Sequence, residues 1–236
     1  NESQASGTYV SADGLVITNH HVVTDENDKP YDAFVVCTVS DEQAVPDCLY
    51  TASLVASDKK LDIALIKVNE KNIYGQFNPV FPFLNYANIT LPKVGDQISL
   101  IGFPGIGGET ITTTRGQVSG FEDKEGAKFI KTDATLSPGN SGGTAKDSQG
   151  NYIGVPSYLR SMYGTIGYVV PMPDIAKWLL GVISRAPQVN SSALDLLNTY
   201  AVLNYETNNT KKYTSTSFPF FAVTFSPDRK FAEIIE

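Results

Sequence analysis

The stretch TLSPGNSGG, residues 135–143, sets three glycines and a proline about Ser141. Gly, Asn, Ser and Pro are the residues of tight turns, and a surface turn is one reading. The other is that backbone N–H groups converge beside the Ser141 hydroxyl, which makes the serine a nucleophile served by an oxyanion hole. A serine hydroxyl is a weak nucleophile at neutral pH and needs a base within hydrogen-bond reach, normally an imidazole. The chain holds only two histidines, adjacent in LVITNHHVV, so an imidazole base for Ser141 is His20 or His21. That stretch reads as a strand, on which neighbouring side chains point to opposite faces, and only one of the two can face a given cleft. We assign the base to His21 and give His20 a local hydrogen bond. An imidazole base needs a carboxylate to fix its tautomer and to stabilise the imidazolium. Asp62 opens the apolar run of SDKKLDIALIKV and is held at the edge of a core, whereas Asp58 sits in a Lys-rich turn open to solvent.

Short strand-like runs separated by Gly, Asp, Asn and Pro must position these groups. TYVSADGLVIT reads as a hairpin turning at Asp13 and Gly14, and further strands are expected at 33–39, 48–57, 62–68 and 97–101. ETITTTRGQVSG, KFIKTDA, NYIGVPSYL and TIGYVVP continue the pattern, which argues for an all-β barrel or sandwich. In PDIAKWLLGVISR the period changes: Ile175, Trp178, Leu179, Val182 and Ile183 share one helical face, with Asp174 as the expected N-cap. Beyond residue 186, SSALDLLNTYAVL reads as a second helix and SFPFFAVTFS as an aromatic strand interrupted by Pro219. Fifty residues make a small independent domain. The segment 186–236 is therefore expected to pack on the β region, residues 1–185, or to belong to a domain cut short.

Composition narrows the partners. A net charge of −7 leaves no broad basic surface for phosphates, which argues against nucleic acid and in favour of protein or peptide partners. No apolar run is long enough to span a bilayer, so no membrane insertion is expected, and NESQASG is polar rather than signal-like. Cys37 and Cys48 lie in two strand-like runs joined by the turn SDEQAVPD. If the strands pair, the sulfurs can meet in a disulfide, which would place the protein outside the cytosol; two separate buried thiols are the alternative. A zinc site built from these cysteines and the two histidines matches none of the usual ligand spacings, so no metal and no cofactor is expected.

The order His21, Asp62, Ser141 is that of the chymotrypsin barrels. GTYVSADGLVITNHHVV, DKKLDIALIKV, IGFPGIGGETITTTRGQVSG, KTDATLSPGNSGG, and IGVPSYL followed by IGYVVP resemble, in the right order, successive signature segments of the HtrA/Deg group of trypsin-like serine endopeptidases. Together they span residues 7 to about 185. The resemblance implies an all-β fold of two perpendicular six-stranded antiparallel barrels with a closing helix, His21 and Asp62 coming from the first barrel and Ser141 from the second. It places the oxyanion hole at the N–H groups of Gly139 and Ser141. It lines the pocket for the residue before the scissile bond with Thr135, Leu136 and Ser137, with Ser157, Tyr158 and Leu159, and with Gly167, Tyr168 and Val169. No carboxylate or histidine lies in those segments, so a small or medium uncharged residue is expected there.

The chain departs from the group in places. Thr144 stands where a proline usually follows the two glycines, His20 where Asn is frequent, and no PDZ domain is evident in residues 186–236. NESQASG does not read as the branched apolar N-terminus that zymogen-activated relatives insert to order the oxyanion loop, so an active loop is expected to be ordered by other means. Two functions are compatible with this reading: an extracytoplasmic serine endopeptidase, whether secreted, periplasmic or at the cell surface, and a catalytically silent relative that uses the same cleft to bind peptides.

Overall fold

The alternation read along the chain resolves into two sets of six antiparallel strands, each closed on itself. The computed structural model describes residues 3–84, 91–104, 108–124, 126–157, 166–185 and 220–225. The first barrel contains β1 (Ser3–Tyr9), β2 (Leu15–Thr18), β3 (Phe34–Thr38), β4 (Asp47–Asp58), β5 (Ile63–Val68) and β12 (Phe220–Phe225), in the order β1-β12-β3-β4-β5-β2. The second contains β6 (Gln97–Gly102), β7 (Thr112–Lys124), β8 (Ala127–Thr132), β9 (Thr144–Asp147), β10 (Tyr152–Ser157) and β11 (Gly167–Pro171), in the order β10-β11-β8-β7-β6-β9. A one-turn helix α1 (His20–Val23) follows β2, and α2 (Met172–Arg185) follows β11. The expected all-β architecture of two six-stranded barrels and a helix is the one observed.

The apolar runs are continuous because their strands are buried on both faces. On β5, Ala64, Ile66 and Val68 fill the first barrel with Val16, Phe34, Val36 and Tyr50. The alternate residues Ile63 and Leu65 face outward and join Leu15 and Ile17 in a layer shared with the second barrel. The second barrel repeats this arrangement: Ile130 and Val169 point into its core, while Phe129 and Val170 meet the shared layer. Ile175, Ala176 and Leu179 of α2 cover that layer. Each fully buried aliphatic side chain contributes about 1.5–3 kcal/mol of transfer free energy, so the layer fixes one barrel against the other. The groups at their junction thereby acquire a defined geometry.

Three sequence readings change at this level. Asp174 lies inside the first turn of α2 rather than at its N-cap, because the helix begins at Met172; a carboxylate there still complements the positive end of the helix. The histidines, read as part of a strand, form α1, where Asn19 in extended conformation starts the turn and its carbonyl accepts the Val22 N–H at 3.2 Å. The strand of the C-terminal segment enters the first barrel itself, paired with β1 on one side (Ser6 opposite Ala222) and β3 on the other (Ala222 opposite Cys37). The helix expected in SSALDLLNTYAVL lies outside the described residues. Cys37 and Cys48 form the disulfide, their Cα atoms 3.8 Å apart beside an irregularity in the β3–β4 register.

Candidate active site

His21, Asp62 and Ser141 come together where the barrels meet. Adjacent residues on a helix diverge by about 100°, less than on a strand but enough for α1 to send the two imidazoles to different partners. His20 turns to Asp28, with Nε2 to Oδ1 at 3.3 Å. His21 turns into the junction, where its Nδ1 lies 2.9 Å from both Asp62 carboxylate oxygens and its Nε2 lies 3.1 Å from Ser141 Oγ. This settles the tautomer by elimination. Nδ1 faces two acceptors and must carry the proton, which leaves the Nε2 lone pair to accept from the Ser141 hydroxyl. The His21 side chain is 24% exposed while that of Asp62 is 3% exposed, so the base is open to a substrate and its carboxylate is sealed from water.

Besides the His21 ring, three hydrogen bonds hold Asp62. It lies just before β5 with φ +57, a left-handed conformation that aspartate tolerates better than most residues. Its carbonyl accepts from Asn19 Nδ2 at 2.7 Å, and its Oδ1 accepts the His21 backbone N–H at 3.1 Å. Ser157 Oγ donates to Oδ2 at 2.5 Å. Asp58, discounted as a partner of His21, instead caps the turn before Asp62 by accepting the Leu61 N–H at 2.9 Å.

The loop carrying Ser141 is a turn of defined type. Asn140 N–H donates to the Ser137 carbonyl at 3.0 Å, closing a four-residue turn with Pro138 and Gly139 at its centre. Proline excludes positive φ at the second position, and Gly139 has φ +97, so the turn is type II. In this type the peptide joining Pro138 to Gly139 is reversed relative to the common type I, which sets the side on which the Gly139 N–H emerges.

The pocket residues divide. Leu136 packs against the second core, and a Cβ built on Gly167 would come within 3.5 Å of the Leu136 Cβ, so these two residues adjoin. Thr135 is exposed and Ser137 buried, while Val169 is wholly inside the core. Two of these residues have side-chain partners of their own. Ser157 serves Asp62, and Tyr168 points to β7, donating its hydroxyl to Glu122 Oε2 at 2.6 Å beneath Lys124. That hydrogen bond holds the Glu122 carboxyl below its ordinary range. Tyr158 and Leu159 lie outside the described residues. Among the described residues no group of three His, Cys, Asp or Glu side chains is arranged to hold a metal ion.

Two closed antiparallel barrels with an imidazole, a carboxylate and a serine at their junction define a protein of the chymotrypsin type. The chain belongs to the trypsin-like peptidase domain family, whose model matches residues 5–155. It is 35% identical over 181 residues to a DegP-like periplasmic serine endoprotease of Chlamydia muridarum, covering 71% of this chain and 31% of that protein. The corresponding protein of Pseudomonas putida GB-1 is 30% identical over 182 residues, 74% of this chain and 34% of the relative. The chain thus spans about a third of the length of these curated relatives. Among solved structures it is similar to a serine endoprotease from Yersinia pestis, with 26% identity, TM-score 0.55 and coverage of 77% of this chain and 58% of that one. It is also similar to the HtrA-type protease AlgW with decapeptide, with 28% identity, TM-score 0.55 and coverage of 76% and 51%. The resemblance to the HtrA/DegP group is therefore found in sequence and in fold alike. In the described residues no helix is long and apolar enough to cross a membrane.

Proposed function

We propose that this chain is a serine endopeptidase that cleaves protein substrates through an acyl-enzyme. The observation that carries the reading is an imidazole engaged at both nitrogens, with a sealed carboxylate on one side and a serine hydroxyl on the other. Ser141 Oγ attacks the peptide carbonyl carbon as its proton passes to His21 Nε2. The negative oxygen of the tetrahedral species is received by the N–H groups of Gly139 and Ser141. The His21 imidazolium, stabilised by Asp62, then gives its proton to the leaving amine as the C–N bond breaks. Water, deprotonated by the same imidazole, releases the acid and restores Ser141.

Leu136 beside Gly167, with Thr135 next in the chain and no carboxylate among them, suits a small or medium uncharged residue before the scissile bond. The substrate lies extended against the backbone at the end of β10, as an added strand. The disulfide and the periplasmic relatives support an extracytoplasmic location. Incubation with a peptide library, with cleavage sites read by mass spectrometry, tests the reading. Cleavage after Val, Ala, Ser, Thr or Leu is expected, and it should be lost in Ser141→Ala. A library left intact, or cut after Lys and Arg, contradicts it.

A further inference from the structure

We propose that Ser6, on β1, is a positioning residue that holds the oxyanion loop in its donor-presenting form; the inference rests on the endopeptidase reading above. Ser6 is 1% exposed and makes four hydrogen bonds, each to a residue outside its own strand. Its N–H donates to the Ser141 carbonyl at 2.8 Å. Its hydroxyl donates to the Gly139 carbonyl at 2.5 Å and accepts the Phe103 N–H at 2.8 Å. Its own carbonyl accepts from Thr18 Oγ1 at 2.8 Å. The two residues whose carbonyls Ser6 engages are the two whose N–H groups receive the oxyanion in the proposed mechanism.

The peptide plane after Gly139 is tied at both ends, its C=O to Ser6 Oγ and its N–H, that of Asn140, to the Ser137 carbonyl. The plane after Ser141 is tied likewise, its C=O to the Ser6 N–H and its N–H, that of Gly142, to the Pro156 carbonyl at 3.1 Å. The Ser141 N–H lies on the plane between these two and is fixed by both. The Gly139 N–H belongs to a turn anchored on its far side. Oxyanion donors act only within about 2.7–3.1 Å of the developing charge, so a loop free to shift by an ångström loses most of their effect. The clamp also accounts for Gly142: a Cβ there would stand 2.1 Å from the Ser6 carbonyl oxygen, so β1 reaches the loop only because the residue after the nucleophile has no side chain.

Ser6→Ala in the full chain tests this, with kcat and KM measured per titrated active site and with the affinity of a peptide boronic acid. The expected result is a fall in kcat of roughly tenfold or more, the range of an oxyanion donor lost in part, with KM within about twofold. The boronate should weaken in parallel, and the midpoint of the pH–rate profile should stay in place because the contacts of His21 and Asp62 are untouched. Unchanged kcat per competent site, with only thermal stability reduced, overturns the proposal. If Ser6→Ala fails to fold, Thr18→Val removes a single donor to Ser6 while keeping shape. A several-fold lower kcat at unchanged KM is expected for it, and an unchanged kcat again overturns the proposal. A wild-type chain without turnover removes the endopeptidase reading and this inference together; normal wild-type turnover with an unaffected variant removes this inference alone.

Discussion

His21 receives its tautomer from Asp62 before any substrate arrives, and much of the proposed rate rests on that. Replacing Asp62 by Asn keeps the size but offers the ring an amide whose N–H₂ can face Nδ1, which moves the proton to Nε2 and removes the acceptor that Ser141 needs. Asp62→Asn is expected to lower kcat by about 10⁴-fold with little change in fold, measurable on any peptide ester; retention of a tenth of the wild-type rate would count against this role for Asp62. The three groups were legible in the sequence because the chain has only two histidines and each partner carries a local signature: glycines around Ser141, an apolar run after Asp62. Ser157 and Ser6 were not legible in these roles. Ser157 meets Asp62 across 95 positions and Ser6 meets Gly139 across 133, so no local pattern announces either contact. The one available signal was weak: each is a small polar residue in a strand, Ser6 in the middle of β1 and Ser157 at the end of β10.

Among the elements, alternation and turn residues located the strands to within a few positions, because hydrophobic period and Gly–Asp punctuation are local properties. β9 escaped, since its four residues TAKD follow directly on the glycine-rich loop and show no alternation. α1 was read as a strand because its helix is one turn long and is set by the Asn19 backbone and the Asp62 carboxylate, not by periodicity. Two tyrosines make the strands sensitive to alkali. Burial pushes the phenol of Tyr9 on β1 and that of Tyr152 on β10 well above the ordinary value of 10.0, with Tyr50 adding to the first and a Thr8 hydrogen bond partly opposing the second. Above that ordinary value the unfolded chain releases both protons while the folded one retains them, so stability falls as pH rises. Urea unfolding followed from pH 8 to pH 11 should show this loss, and Tyr9→Phe with Tyr152→Phe should flatten it. Equal slopes for the two proteins would contradict the assignment.

At the scale of the molecule, the shared layer of Ile17, Leu65, Phe129 and Val170 sets the barrels against each other, and β12 closes the first of them. The sequence offered SFPFFAVTFS as a strand but gave no address for it, because its partners β1 and β3 are remote in the chain. Removing residues 219–236 leaves both partners with an unpaired edge. Since β1 also carries Ser6, the shortened chain is expected to melt several degrees lower and to lose activity more steeply than stability alone requires. Differential scanning calorimetry beside a peptidase assay reads both, and a shortened chain with wild-type melting and turnover would show that β12 is dispensable.

Reaction with a fluorophosphonate, located by peptide mapping, tests the meeting of His21, Asp62 and Ser141 most directly. One adduct is expected, on Ser141, formed rapidly at neutral pH, absent in Ser141→Ala and at least a hundredfold slower in His21→Ala. A folded protein that takes no label, or that labels on another serine at an undiminished rate without His21, would contradict it.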